Sequence, residues 1–65
     1  MKLILGSREL EITAYSLQTN RVTVIYRIKG RIMFRKTLWC NSDREGGSYF
    51  RLGKDKFYLS EFVRA

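Results

Sequence analysis

Arg21-Val22-Thr23-Val24-Ile25-Tyr26-Arg27-Ile28-Lys29-Gly30-Arg31-Ile32-Met33-Phe34-Arg35-Lys36-Thr37-Leu38-Trp39-Cys40 is a third of the chain and its most regular part. Val22, Val24, Tyr26 and Ile28 alternate with Arg21, Thr23, Arg27 and Lys29, the period of a half-buried strand. Val22, Val24, Ile25 and Ile28 are β-branched, which costs rotamer freedom in a helix and fits a pleated sheet. After Gly30 the alternation resumes. Ile32, Phe34, Leu38 and Cys40 fall on one side; Arg31, Met33, Arg35, Thr37 and Trp39 fall on the other. The stretch reads as an antiparallel hairpin with an apolar face and a basic face.

Phase restricts its turn. A two-residue turn at Gly30-Arg31 would pair Ile28 with Met33 and Tyr26 with Arg35, setting basic residues on the apolar face. Two three-residue loops keep the faces consistent. Ile28-Lys29-Gly30 puts glycine at the left-handed position. Lys29-Gly30-Arg31 pairs Ile28 with Ile32 and Tyr26 with Phe34, and avoids Arg27 facing Arg31. Both place Arg27, Arg31 and Arg35 on one face.

Working outward, Leu3 and Leu5 alternate with Lys2 and Ile4 in a short first strand that stops at Gly6-Ser7. Leu10, Ile12 and Ala14 alternate with Glu9, Glu11 and Thr13, and Gln18-Thr19-Asn20 is turn chemistry. Asn41 to Ser48 reads as an irregular polar loop, with capping-box spacing between Ser42 and Glu45. A second hairpin follows: Tyr49-Phe50-Arg51-Leu52, a turn at Gly53-Lys54-Asp55-Lys56, then Phe57-Tyr58-Leu59. Ser60 is placed to cap a last short turn through Arg64, with Phe62 closing one end of the core. The expected fold is all-β: a single domain over 1–65, an antiparallel meander of five or six short strands. Curling into a small SH3-like or OB-like barrel, with the C-terminal turn as a plug, buries both ends of such a sheet. An open sheet covered by a partner is the alternative.

Composition sets the functional classes. With 45% apolar and 14% aromatic residues the chain is not a disordered tail, and Met1 with no proline suggests a complete small reading frame. A chain of 65 residues buries only roughly 60% of its unfolded surface, so its core is thin and a supported substrate cleft would use most of it. Cys40 is the sole cysteine and histidine is absent, so an intrachain disulfide is excluded and neither a zinc site nor a thiol–imidazole pair is expected. The bland reading of Cys40 is a half-buried strand residue. Leu3-Ile4-Leu5 is far shorter than a signal-peptide core or a membrane span, and the chain reads as cytoplasmic. Glu9 and Glu11 are the only acidic pair at i, i+2 on an expected strand, so they share a face, and they read as a solvated sheet edge, since no second functional group accompanies them. The glycine pairs lack the spacing of a phosphate loop. No enzyme, cofactor or metal is expected.

Thirteen Lys and Arg against six Asp and Glu give a net charge of +7, and no acid lies between Glu11 and Asp43. That interval holds Arg21, Arg27, Lys29, Arg31, Arg35 and Lys36, with Met33, Thr37 and Trp39 interleaved. Tyr49 and Arg51 share the outward side of the next strand. Guanidinium groups for phosphates beside an exposed aromatic for bases are what nucleic-acid binding requires. The plainer reading is an ordinary solvated face, with Trp39 turned into the core because a small barrel needs a large residue to fill it. Tyr49-Phe50-Arg51-Leu52-Gly53-Lys54-Asp55-Lys56-Phe57-Tyr58-Leu59-Ser60-Glu61-Phe62 resembles the hairpin-then-helix end of excisionase-type winged-helix DNA-binding domains. The resemblance implies only that Arg51, Lys54 and Lys56 ride on a hairpin able to touch a backbone. Where those domains carry a helix-turn-helix, this chain has alternating strands.

The expected function is a small basic nucleic-acid-binding protein, for DNA or RNA. Arg27, Arg31, Arg35 and Lys36 would contact phosphates, and Trp39 and Tyr49 would stack on bases. The alternative is a phage- or plasmid-type regulator or inhibitor that binds an acidic protein surface, since Trp, Tyr and Arg also dominate interface hot spots. Pairing of exposed strand edges into a homodimer is a third expectation. No membrane is expected as a partner.

Overall fold

The computed structural model describes residues 1–16 and 18–64. Among the described residues seven strands are formed: β1 (Lys2–Leu5), β2 (Arg8–Ser16), β3 (Arg21–Ile28), β4 (Arg31–Trp39), β5 (Asn41–Asp43), β6 (Gly47–Leu52) and β7 (Asp55–Tyr58). A 3-10 turn, Leu59–Glu61, follows. They make two antiparallel meanders, β1-β2-β3-β4 and β5-β6-β7. The fold is all-β, and the two sheets do not close into one barrel; the nearest approach to closure is a single antiparallel bridge between Lys2 and Val63. Among the described residues no helix is long and apolar enough to cross a membrane.

The core lies between the sheets. Leu10, Ile12, Val22 and Val24 come from the first sheet, Phe50 from the second, and Cys40 and Phe62 from the connecting segments. Phe50 is completely buried, with the Phe57 and Phe62 rings 5.7 and 5.8 Å away. Phe62 thus closes one end of the core. The turn before it lacks the expected Ser60 cap; its closing bond runs from the Phe62 N–H to the Leu59 carbonyl at 3.2 Å.

Two bulges alter the expected faces. In β2 the register shifts between Ile12 and Ala14, so Tyr15 faces Val22 on the core side and Ala14 faces Thr23 on the outside. An extra residue moves every later side chain to the other face. In the β3–β4 hairpin the loop is neither expected three-residue form. Lys29 (φ 51°) and Gly30 (φ 82°) make a two-residue turn with positive φ at both positions, the type I′ hairpin signature, and Ile28 pairs with Arg31. A bulge at Met33 then restores Tyr26 opposite Phe34 and Arg21 opposite Trp39. Arg31 therefore leaves the Arg27–Arg35 face for that of Ile28, and Ile32 leaves the apolar face and stands exposed opposite Arg27.

Asn41 to Ser48 is a hairpin rather than an irregular loop. Asp43 explains it. Its Oδ1 accepts the Glu45 and Gly46 N–H groups at 3.1 and 2.9 Å, making the tight turn. Its Oδ2 accepts from Lys56 Nζ at 2.6 Å and from the Tyr58 hydroxyl at 2.8 Å, tying β5 to β7 across β6. The Lys56 hydrogen bond foremost, with those of Gly46 and Tyr58, holds the Asp43 carboxyl far below the usual carboxylate range, and the same pair drives Lys56 upward.

Candidate nucleic-acid interface

On the outer face of the first sheet, β2 and β3 carry an ion-pair network. Arg27 Nη1 donates to Glu9 at 2.9 Å and to Glu11 at 2.7 Å, and Lys2 lies 4.0 Å from Glu9. Glu9 and Glu11 are thus no solvated edge: β2 lies between β1 and β3. The Arg27 hydrogen bond pulls Glu11 below its ordinary value, and Glu11 in turn raises Arg27. Beneath them Ile25, 4% exposed although it faces away from the core, is flanked by Glu11 and Arg35 in register. Arg27 is therefore a compensated charge, its Nη1 shared between two carboxylates.

The uncompensated half of this face is on β3 and β4. Arg21 sits opposite Trp39, Thr23 opposite Thr37, and Ile25 opposite Arg35. Trp39 is 64% exposed, which overturns the core reading, and the Arg21 guanidinium lies 4.5 Å from its ring centroid. The Thr23 and Thr37 hydroxyls share a 3.2 Å hydrogen bond between these groups. Trp39 is outside because β4 presents Phe34, Lys36 and Leu38 inward, and odd positions beyond the bulge must face solvent.

The remaining predicted site residues separate. Lys29 and Arg31 lie at the hairpin tip, where the Lys29 N–H donates to the Ser7 carbonyl at 2.8 Å. Lys36 shares the inward side of β4 with Phe34, its ammonium 4.9 Å from that ring. Met33 is at the bulge, exposed. Tyr49 and Arg51 belong to the second sheet; the Tyr49 ring has Lys56 4.1 Å from its centroid and Tyr58 edge-on at 5.6 Å, while Arg51 is exposed. The structure joins Arg21, Arg35 and Trp39 and leaves Tyr49 and Arg51 on another surface.

The sequence reading missed a cleft of about 260 Å³ between the sheets. Leu5, Arg8 and Leu10 line it from β1 and β2, Tyr26, Phe34 and Lys36 from β3 and β4, and Leu52, Asp55 and Phe57 from the β6–β7 hairpin. One signal for it was present: Arg8 and Lys36 keep phase with Leu10 and Phe34, so cations stand in core register. Burial pushes the Cys40 thiol up, the opposite of what a nucleophile needs. Among the described residues no three potential metal-ligating side chains cluster.

No known protein family, curated protein or solved structure matches this chain.

Proposed function

We propose that the protein is a small cytoplasmic nucleic-acid-binding domain that holds a strand across the outer face of β3 and β4. Arg21 and Arg35 supply phosphate contacts and Trp39 a stacking platform. Arg31 and Lys36 stand on the inner side of β4 and do not share this face, while Arg27 serves the fold. Trp39 is the observation that carries the reading. The sole tryptophan is 64% exposed beside a guanidinium, on a strand pair that contains no acid. Base stacking on such a ring is worth roughly 1–3 kcal/mol and tolerates any base, because every base has a π-face. The domain is proposed as an opened relative of SH3-like or OB-like barrels, on the strength of its meanders and the Lys2–Val63 bridge.

A regulator or inhibitor that binds an acidic protein surface uses the same cations. Ile32 and Met33, exposed on the outermost strand of the first sheet, favour it. Equilibrium binding of labelled single-stranded and duplex oligonucleotides between ~0.05 and ~0.2 M salt separates the two, because only phosphate contacts release condensed counterions. For a single strand, Arg21→Ala and Arg35→Ala should each weaken binding and flatten the log–log salt slope by roughly 0.7. Arg27→Ala should leave the slope unchanged and lower the melting temperature, because Glu9 and Glu11 lose their partner. Absence of saturable binding to either oligonucleotide at the lowest salt would reject the nucleic-acid reading in favour of the acidic protein partner.

A further inference from the structure

We propose that the cleft between the sheets is a nucleotide site, with the base against its aromatic wall and the flanking phosphates of the strand at its two ends, by Arg8 and by Lys36. The inference rests on the nucleic-acid reading and adds a second subsite, on the opposite side of β3 and β4 from Trp39.

Register builds the site. On the inner face of the first sheet, Leu10, Tyr26 and Phe34 stand in one row across β2, β3 and β4. The preceding row is Arg8, Ile28 and Arg31, so cations border the aromatic row at the hairpin end. Lys36 borders it from the other direction along β4. The second sheet supplies the facing wall through Leu52 and Phe57, and its turn begins at Gly53, which has no side chain to fill the gap. The rings of Tyr26, Phe34 and Phe57 consequently stay only half-buried.

Three features select the ligand. The volume, about 260 Å³, lies just under the ~300–1,000 Å³ of drug-sized sites and suits one planar ring system. Tyr26 and Phe34 pack on each other at 5.1 Å with a 34° tilt, so a base lies against this pair and not between its members. The rim mixes charges: Arg8 and Lys36 are exposed cations, and Asp55 is an acid on the opposite hairpin. Among the described residues the ion pairs engage Lys2, Arg27 and Lys56 but neither Arg8 nor Lys36, whose ammonium rests 4.9 Å from the Phe34 ring centroid. A bare phosphate would meet the Asp55 carboxylate unfavourably, whereas an amino group on a base edge donates to it, as cytosine does to acidic side chains. Aromatic wall, a cation at each end and one acceptor together match a nucleotide within a strand. A base inside a duplex stack cannot enter, so the strand must be single.

The test is a nuclear magnetic resonance titration of the intact chain with cytidine monophosphate, a short single strand and its duplex, with oligonucleotide affinities measured in parallel. The single strand should shift the ring protons of Tyr26, Phe34 and Phe57 together with Trp39, and the duplex should leave the three cleft rings unmoved. Lys36→Ala, at an exposed position, should weaken single-strand binding roughly fivefold or more, the lower end of the stacking and charge range. Phe34→Leu should do the same, and Lys36→Ala keeps the test valid if the Phe34 variant does not fold. Cleft shifts with the monophosphate alone would uphold the site and assign it to free nucleotides. Single-strand binding that perturbs Trp39 but not the cleft rings would overturn the cleft and leave the outer-face reading standing. No response to any of the three ligands would overturn both.

Discussion

Trp39→Ala is the change on which the outer-face reading stands or falls, because it separates stability from binding. With 64% of its surface in water, about a third of a side chain that can bury up to ~250 Å² is withdrawn, about 90 Å². At ~25 cal/mol per Å² that amounts to ~2 kcal/mol, less what the denatured chain already covers. The Arg21 contact adds ~0.5–1 kcal/mol. The folded state should therefore lose only ~2–3 kcal/mol, a fall in melting temperature of roughly 8–24 °C for a domain this small. Phe50→Ala, at a fully buried ring, should cost ~3–5 kcal/mol and leave a large unfolded fraction, since total stability is only ~3–10 kcal/mol. Single-strand affinity should behave in the opposite way. Loss of one stacked base, ~1–3 kcal/mol, weakens binding roughly 5- to 150-fold, while duplex affinity changes little. Fluorescence anisotropy with a labelled oligonucleotide reads the affinity, and far-UV circular dichroism reads the melt. Single-strand affinity within twofold of the unaltered protein, in a variant that still folds, would refute the stacking role. A melt as damaged as that of Phe50→Ala would refute the exposed placement.

Three further expectations concern the frame that carries this face. Asp43 is ionised in both states above its ordinary value of ~3.9, so its contribution should be complete there. Below that value the unfolded chain takes up the proton first, and stability falls. Asp43→Asn should lower the neutral-pH melting temperature and flatten this acid limb; an unchanged acid limb in thermal melts would disprove the assignment. Lys29→Asn should stabilise the β3–β4 turn by ~1 kcal/mol, because asparagine tolerates positive φ better than lysine. A lower denaturation midpoint in urea would contradict that. Gly46→Ala should destabilise the β5–β6 turn, since a Cβ there runs into the Tyr58 ring. An unchanged melting temperature with shifted Tyr58 ring resonances would contradict this and show that the ring yields without cost.

Alternation along the chain determined the sheet. Val22, Val24 and Tyr26 inward and Arg21, Thr23 and Arg27 outward follow from local side-chain direction, which a strand fixes every second residue. Net charge and the acid-free interval from Glu11 to Asp43 likewise belong to the sequence. What the charges do does not. Arg27 and Arg35 have the same phase, yet β2 brings Glu9 and Glu11 against Arg27 and leaves Arg35 without them; that depends on which strand lies beside β3. Arg31 changed faces because a type I′ turn is one residue shorter than the loops that phase allowed, and the Met33 bulge made up the difference. Asn41 to Ser48 gave no strand signal because its pairing is held by Lys56 and Tyr58, more than a dozen residues away in the chain. The cleft is likewise non-local, built from six strands and the β6–β7 turn. Periodicity is a property of neighbours in sequence, whereas register, charge compensation and concavity are properties of neighbours in space, and only the packed sheets could decide them.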